Sequence, residues 1–157
     1  MDQIFLNNTP PTPQKSTQNT METQKISVKI KNEKTETIVK FDTKRCLMTF
    51  SESHDFKKIY HEKDIYTCLA KVRADFPQMT FLCKGAKINV MPSRMASQMS
   101  SGMVAYEITL GKQATRDDIV HIFDYEEDNL TSNPQEQIDF FKKWLASLGA
   151  QDYEKFN

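Results

Sequence analysis

The sequence predicts an α+β domain: an antiparallel sheet of hairpins, two to three helices packed on one side of it, and a C-terminal helix over 133–148. Two observations carry that expectation. Short runs in the first half alternate apolar and polar residues, the period of strands with one buried and one wet face. Other segments space their apolar residues at helical intervals instead. Hairpin strands mixed with helices in this way belong to architectures that cover one face of an antiparallel sheet.

Residues 1–24 are rich in Asn, Thr, Pro and Gln, and their one apolar cluster is Ile4-Phe5-Leu6. Such a segment buries too little apolar surface to offset its ordering entropy, so it reads as a disordered tail ahead of a single domain over 25–157. Order is expected from Lys25. In KISVKIK, Ile26, Val28 and Ile30 share one face and Lys25, Ser27, Lys29 and Lys31 the other. Asn32 to Lys34 make a turn, and TETIVKFD (35–42) returns with Val39 and Phe41 inward. CLMTF (46–50) is placed as a third strand of this meander.

Ile65, Leu69, Val72 and Phe76 recur at i, i+4, i+7 and i+11, with Asp64 as N-cap and Pro77 as stop, which predicts a helix. MTFLC (79–83) and AKINV (86–90) read as a hairpin around Lys84-Gly85. Met91, Met95, Met99 and Met103 fall four apart and read as a core-packed stripe, although Met is also over-used at binding surfaces. Val104, Tyr106, Ile108 and Leu110 alternate as a strand. DIVHIFDY (118–125) is assigned to a strand because its residues favour β structure; Thr115 with Asp118 also fits a capping box opening a helix. Asn133 as N-cap, Pro134 at N1 and Glu136 at N3 open the last helix. Its apolar face is read as Ile138, Phe141, Leu145 and Leu148, widened by Phe140 and Trp144, with Gly149 as the cap.

Composition limits the function. With 157 residues, 38% hydrophobic and 27% charged, the chain fits one soluble domain with its own core. Three scattered cysteines without a CxxC pair point to reduced thiols in a cytoplasmic protein, with Cys68 and Cys83 in the core. No apolar run approaches the roughly 18 residues that span a bilayer, and the N-terminus lacks a secretory pattern. There is no GxSxG, no Walker loop, no GxGxxG and no HExxH, and nothing calls for a cofactor or a metal. His54, His61 and His121 read as surface or edge histidines.

Charge is where the sequence is unusual. Residues 1–116 hold 18 Lys/Arg against 11 Asp/Glu, and residues 117–157 hold 3 against 10, so a neutral chain has two oppositely charged parts. The basic part includes Lys25, Lys29, Lys31, Lys34 and Lys40 on or beside one hairpin, which keeps a nucleic-acid-binding module among the alternatives. The acidic part is densest at Asp124, Tyr125, Glu126, Glu127 and Asp128. Carboxylates around an aromatic residue suit a basic partner, and charge complementarity both speeds encounter and enforces specificity. A small enzyme centred on Cys83 or His121 is the remaining alternative.

The stretch KGAKINVMPSRMASQMSSGMVAYEITLGKQATRDDIVHIFDYEEDNLTSNPQEQ (84–137) resembles small bacterial proteins that serve as immunity proteins of polymorphic or contact-dependent toxin systems. That resemblance implies a cytoplasmic, non-enzymatic protein that binds and neutralises one cognate toxin domain. It transfers no residue roles; the assignment of 124–128 as the partner-binding surface rests on charge.

Overall fold

A computed structural model describes residues 21–53 and 55–149. The expected tail therefore lies, for residues 1–20, outside the described residues, as do His54 and residues 150–157. The chain folds as α+β: a five-stranded antiparallel sheet in the order β4-β3-β2-β1-β5, a second sheet in the order β6-β7-β8, and three helices.

The large sheet is built by local pairing. β1 (Glu22–Ile30) and β2 (Glu33–Asp42) form a hairpin closed by Lys31 and Asn32, whose φ angles of 49° and 66° are those a two-residue primed turn requires. The alternation holds: Ile26, Val28, Val39 and Phe41 are buried while Lys25, Lys34 and Lys40 face water. The strand begins earlier than its pattern suggests. Glu22, Thr23 and Gln24 pair with Phe41, Lys40 and Val39, so the boundary expected at residue 25 moves to 22. β3 (Leu47–Ser53) adds to β2, and β4 (Phe56–His61) forms the outer edge. β4 has no counterpart in the sequence reading because Tyr60 is its only buried residue. Lys57, Lys58 and the register shift between Ser51 and Ser53 keep that edge from recruiting other strands.

α1 (Ile65–Asp75) starts where predicted, with the Asp64 carboxylate accepting the Thr67 N–H at 2.7 Å. It lays Ile65, Leu69 and Val72, all fully buried, on the inner face of the sheet. Phe50 packs there edge-on against Phe76 and tilted against Phe81, at ring-centroid distances of 4.9 and 5.8 Å.

The next segment departs from the predicted hairpin. β5 (Met79–Phe81) pairs with β1, Lys84–Ala86 forms one 3-10 turn, and β6 (Val90–Met91) belongs to the second sheet. Gly85 is there for close approach rather than for a turn: a Cβ on it would lie 2.9 Å from Leu69 Cδ2 and 3.0 Å from Ile122 Cβ. α2 (Arg94–Met99) follows, and it corrects the core reading of the Met stripe. Met95 and Met99 are 72% and 82% exposed, and only Met91 and Met103 pack on the core. β7 (Val104–Glu107) and β8 (Ile119–His121) complete the second sheet. The strand expected over 118–125 shortens to three residues, because the Thr115–Asp118 capping box is formed and opens a 3-10 turn over Arg116–Asp118.

α3 (Pro134–Ser147) has the predicted start, with the Asn133 side chain accepting the Gln135 N–H, but buries a different face. Gln137 and Trp144 are buried and Ile138 is 41% exposed. A polar requirement sets that face. The buried Arg73 guanidinium donates to Gln137 Oε1 at 3.1 Å, and the Gln137 amide donates to the carbonyls of Gly85 and Lys87 at 3.0 and 2.7 Å. The helix ends at Leu148 in an extended conformation rather than on a left-handed Gly149. No described helix is long and apolar enough to cross a membrane.

Candidate functional site

Residues 124–128 form a lip at the end of the β1–β2 hairpin. Backbone bonding fixes its path. Cys83 and Tyr125 form an antiparallel bridge, as do Lys87 and Leu130. The Lys84 N–H donates to Asp124 O at 2.8 Å, Ile88 N–H to Asn129 O at 2.9 Å and Thr131 N–H to Ala86 O at 2.9 Å. The lip is thus laced to the 82–88 segment, whose own place in the core is set by Cys83, Gly85 and Ala86. Buried backbone groups need such partners, and here they also rule out a floppy loop.

The five residues separate into different roles. Glu126 points inward. Its carboxylate accepts the backbone N–H groups of Glu127 and Asp128, each at 3.0 Å, and the ammonium groups of Lys84 and Lys87, each at 2.9 Å. The Asp128 backbone N–H and the two lysines hold its pKa down at about 2. Glu107 shares those lysines, at 3.5 and 2.7 Å, so two carboxylates and two ammoniums form one closed network. Asp124, Glu127 and Asp128 stay exposed.

Tyr125, 48% exposed, stands beside them with Lys34 Nζ 4.3 Å from its ring centroid. Its hydroxyl accepts from Lys34 and donates to Glu127, and this bond, ahead of the nearby lysine charges, lowers the Glu127 pKa. Phe123 is not part of the exposed surface: it is buried against Phe41, ring centroids 5.3 Å apart.

The lip therefore uses lysines from the basic part of the sequence to cancel part of its own charge. Lys34, Lys84 and Lys87 are distant from it in the chain, so no local pattern shows them as its supports. The same pairing thins the basic hairpin. Lys25 bridges Glu36 at 3.2 Å and Lys34 is held at the lip, which leaves a mixed rather than a uniformly basic strand face.

The residues considered for catalysis are dispersed. Cys83 is fully buried and burial pushes its thiol up to about 11, despite the opposing Arg73 charge. Cys68 is equally buried; burial raises its thiol to about 12, and it donates to the carbonyls of Cys46 and Tyr60. His121 is half-buried and accepts the Phe123 N–H through Nδ1 at 3.3 Å. His61 is exposed at the β4 edge. Among the described residues no group of three or more His, Cys, Asp or Glu side chains is arranged to hold a metal ion. No protein-family model matches the chain, and no curated protein is similar to it.

Proposed function

We propose that the protein is a cytoplasmic, non-catalytic binding protein that docks on a basic protein surface through the 124–128 lip. The most specific form of this reading is an immunity protein that neutralises a cognate bacterial toxin domain by covering its basic active site. One observation carries it: the exposed carboxylates of Asp124, Glu127 and Asp128 surround a half-exposed tyrosine on a segment whose shape is fixed from inside by Glu126. Binding is weakened by every side chain and loop that must be ordered on contact, and a pre-fixed lip avoids much of that cost. Aromatic anchors within a polar rim are the usual carriers of interface energy.

In this reading Glu126 is a positioning residue and Tyr125 the anchor. A basic partner exchanges the Lys34 ammonium over Tyr125 for its own cations, which leaves Glu127 free to pair across the interface. Cys68 and Cys83 contribute by packing rather than chemistry, since a core thiol with a raised pKa forms little of the reactive thiolate.

The test is a growth assay. The toxin candidate is the C-terminal domain of the protein encoded immediately upstream, expressed with and without this chain. The wild-type chain is expected to restore growth and the Tyr125→Ala/Glu127→Lys/Asp128→Lys variant to fail, with Lys57→Glu on the sheet as a folded control. Full protection by the triple variant refutes the lip as the docking surface.

A further inference from the structure

Away from the lip, α1, α2 and α3 enclose a groove of about 1170 Å³. Its apolar lining is chiefly Tyr66, Ala70, Met91, Ile138 and Phe141. Its charge is one-sided. Lys44, Lys63, Lys71 and Arg94 line it, and among the described residues no Asp or Glu does. Lys44, Lys63 and Arg94 form no ion pair among the described residues, while Lys71 feels the Asp75 carboxylate one turn along α1. The nearby Asp64 is buried and already engaged by the Thr67 N–H and the Ser97 hydroxyl.

A second observation reinforces the sign. Arg73 is fully buried, bonded to the groove residue Gln137, and pairs with no carboxylate among the described residues. Its guanidinium donates to the carbonyls of Gly85 and Thr131 and to Gln137, a groove residue, and its Nε has no partner among the described residues. A buried charge without a counter-ion is costly, and its field is screened little on the protein side. The groove thus combines apolar and cationic lining residues with a buried cation that has no carboxylate partner among the described residues.

We propose that this groove binds an acidic, amphipathic segment of a protein partner, with apolar side chains on the apolar lining and carboxylates against Lys44, Lys71 and Arg94. The size and the mixed lining favour a peptide over a lone anion. A nucleic-acid strand fits less well, because stacking needs free aromatic faces. Tyr66 is buried with its hydroxyl donating to Val90 O at 2.7 Å, and Phe141 stacks on Trp144. α2 adds to the protein reading, since Met95 and Met99 extend an exposed, adaptable apolar ridge from the helix that forms one wall.

The experiment is selection of a random linear peptide library on the immobilised full-length chain, followed by fluorescence anisotropy of the enriched peptides. Net-negative peptides containing aliphatic or aromatic residues are expected. Lys71→Glu/Arg94→Glu should weaken them roughly ten-fold or more, as charge reversal in a complementary interface does. Lys57→Glu on the sheet face and Glu127→Lys on the lip should leave their affinity unchanged. The proposal is overturned by any of four results: no enrichment, enrichment only of peptides without net negative charge, acidic peptides that survive the double reversal, or displacement of the acidic peptide by a single-stranded oligothymidine. A lip that proves inactive leaves these outcomes unaffected.

Discussion

Replacing Glu126 by Gln keeps the shape of the side chain and removes its charge. The Glu126 carboxylate holds two ammonium groups at 2.9 Å and two backbone N–H groups at 3.0 Å, with its side chain only 11% exposed. The carboxylate gives Oε2 to the two lysines and Oε1 to the two backbone N–H groups, so an amide with one oxygen leaves one of these pairs facing an NH2 group. Bonds to a charged group also contribute about 1 kcal/mol more than neutral ones. The lysine bonds alone therefore put the loss at about 2 kcal/mol or more, with Glu107 left as the counter-ion of Lys84 and Lys87 among the described residues. For a domain of this size that is a fall in melting temperature of about 6–8 °C.

The folded-state pKa of Glu126 is depressed to about 2 from an ordinary 4.5, so its contribution is full above pH 4.5 and is lost as pH falls through 2. Thermal unfolding followed by circular dichroism at pH 7 should separate the wild type from Glu126→Gln by the full amount. At pH 2.5 the same comparison should show about a quarter of it, because the unfolded carboxyl is then protonated in nearly every molecule. Equal melting temperatures at pH 7, or a difference that persists undiminished at pH 2.5, refute the reasoning that places this carboxylate at the centre of the lip.

Other perturbations test the surrounding structure. Gly85→Ala puts a methyl 2.9 Å from Leu69 Cδ2 and 3.1 Å from the Ile122 carbonyl, and should cost about 1–3 kcal/mol in chemical denaturation. A null effect there means that the close approach of 85 to 122 is wrong. Asp64→Ala removes the cap of α1 and should lower stability by about 1–2 kcal/mol. Restoration of most of it by Asp64→Asn, with Ser97→Ala costing much less than Asp64→Ala, identifies the cap as the cause. Titration with a thiol reagent should modify one cysteine, Cys46, in the folded protein and all three after denaturation, since Cys68 and Cys83 are buried. Rapid modification of Cys83 in the native state contradicts its place in the core.

How much was legible in the sequence depends on whether the information was local. The β1–β2 hairpin was visible because Ile26, Val28, Val39 and Phe41 alternate against lysines, and the starts of α1 and α3 because Asp64 and Asn133 cap within three residues of themselves. The rest required partners from elsewhere in the chain. Glu22–Gln24 carries no apolar pattern, yet becomes strand because Val39–Phe41 lies opposite. Gly85 carried the signal of a turn although its function is to let Ile122 approach. The apolar stripe of α3 pointed to Ile138, whereas the buried Arg73 needs the acceptor on Gln137 and so rotates that helix.

The same limit applies to the candidate site. The sequence shows five residues of one acidic run and treats them alike. The fold divides them, turning Glu126 inward to Lys84 and Lys87 while Glu127 meets Tyr125 and Lys34. Part of the charge asymmetry is cancelled at the lip, where Lys34, Lys84 and Lys87 meet Glu107, Glu126 and Glu127, and four further cations, Lys44, Lys63, Lys71 and Arg94, line the groove of α1, α2 and α3.

The most direct test of the central claim is isothermal titration of the purified chain with the C-terminal domain encoded immediately upstream, measured for the wild type, Tyr125→Ala and Glu127→Lys/Asp128→Lys. Tight binding by the wild type that weakens with added salt, with the variants losing about 2 kcal/mol or more, is the predicted result. Unchanged affinity in both lip variants, or no heat of binding by the wild type, contradicts it.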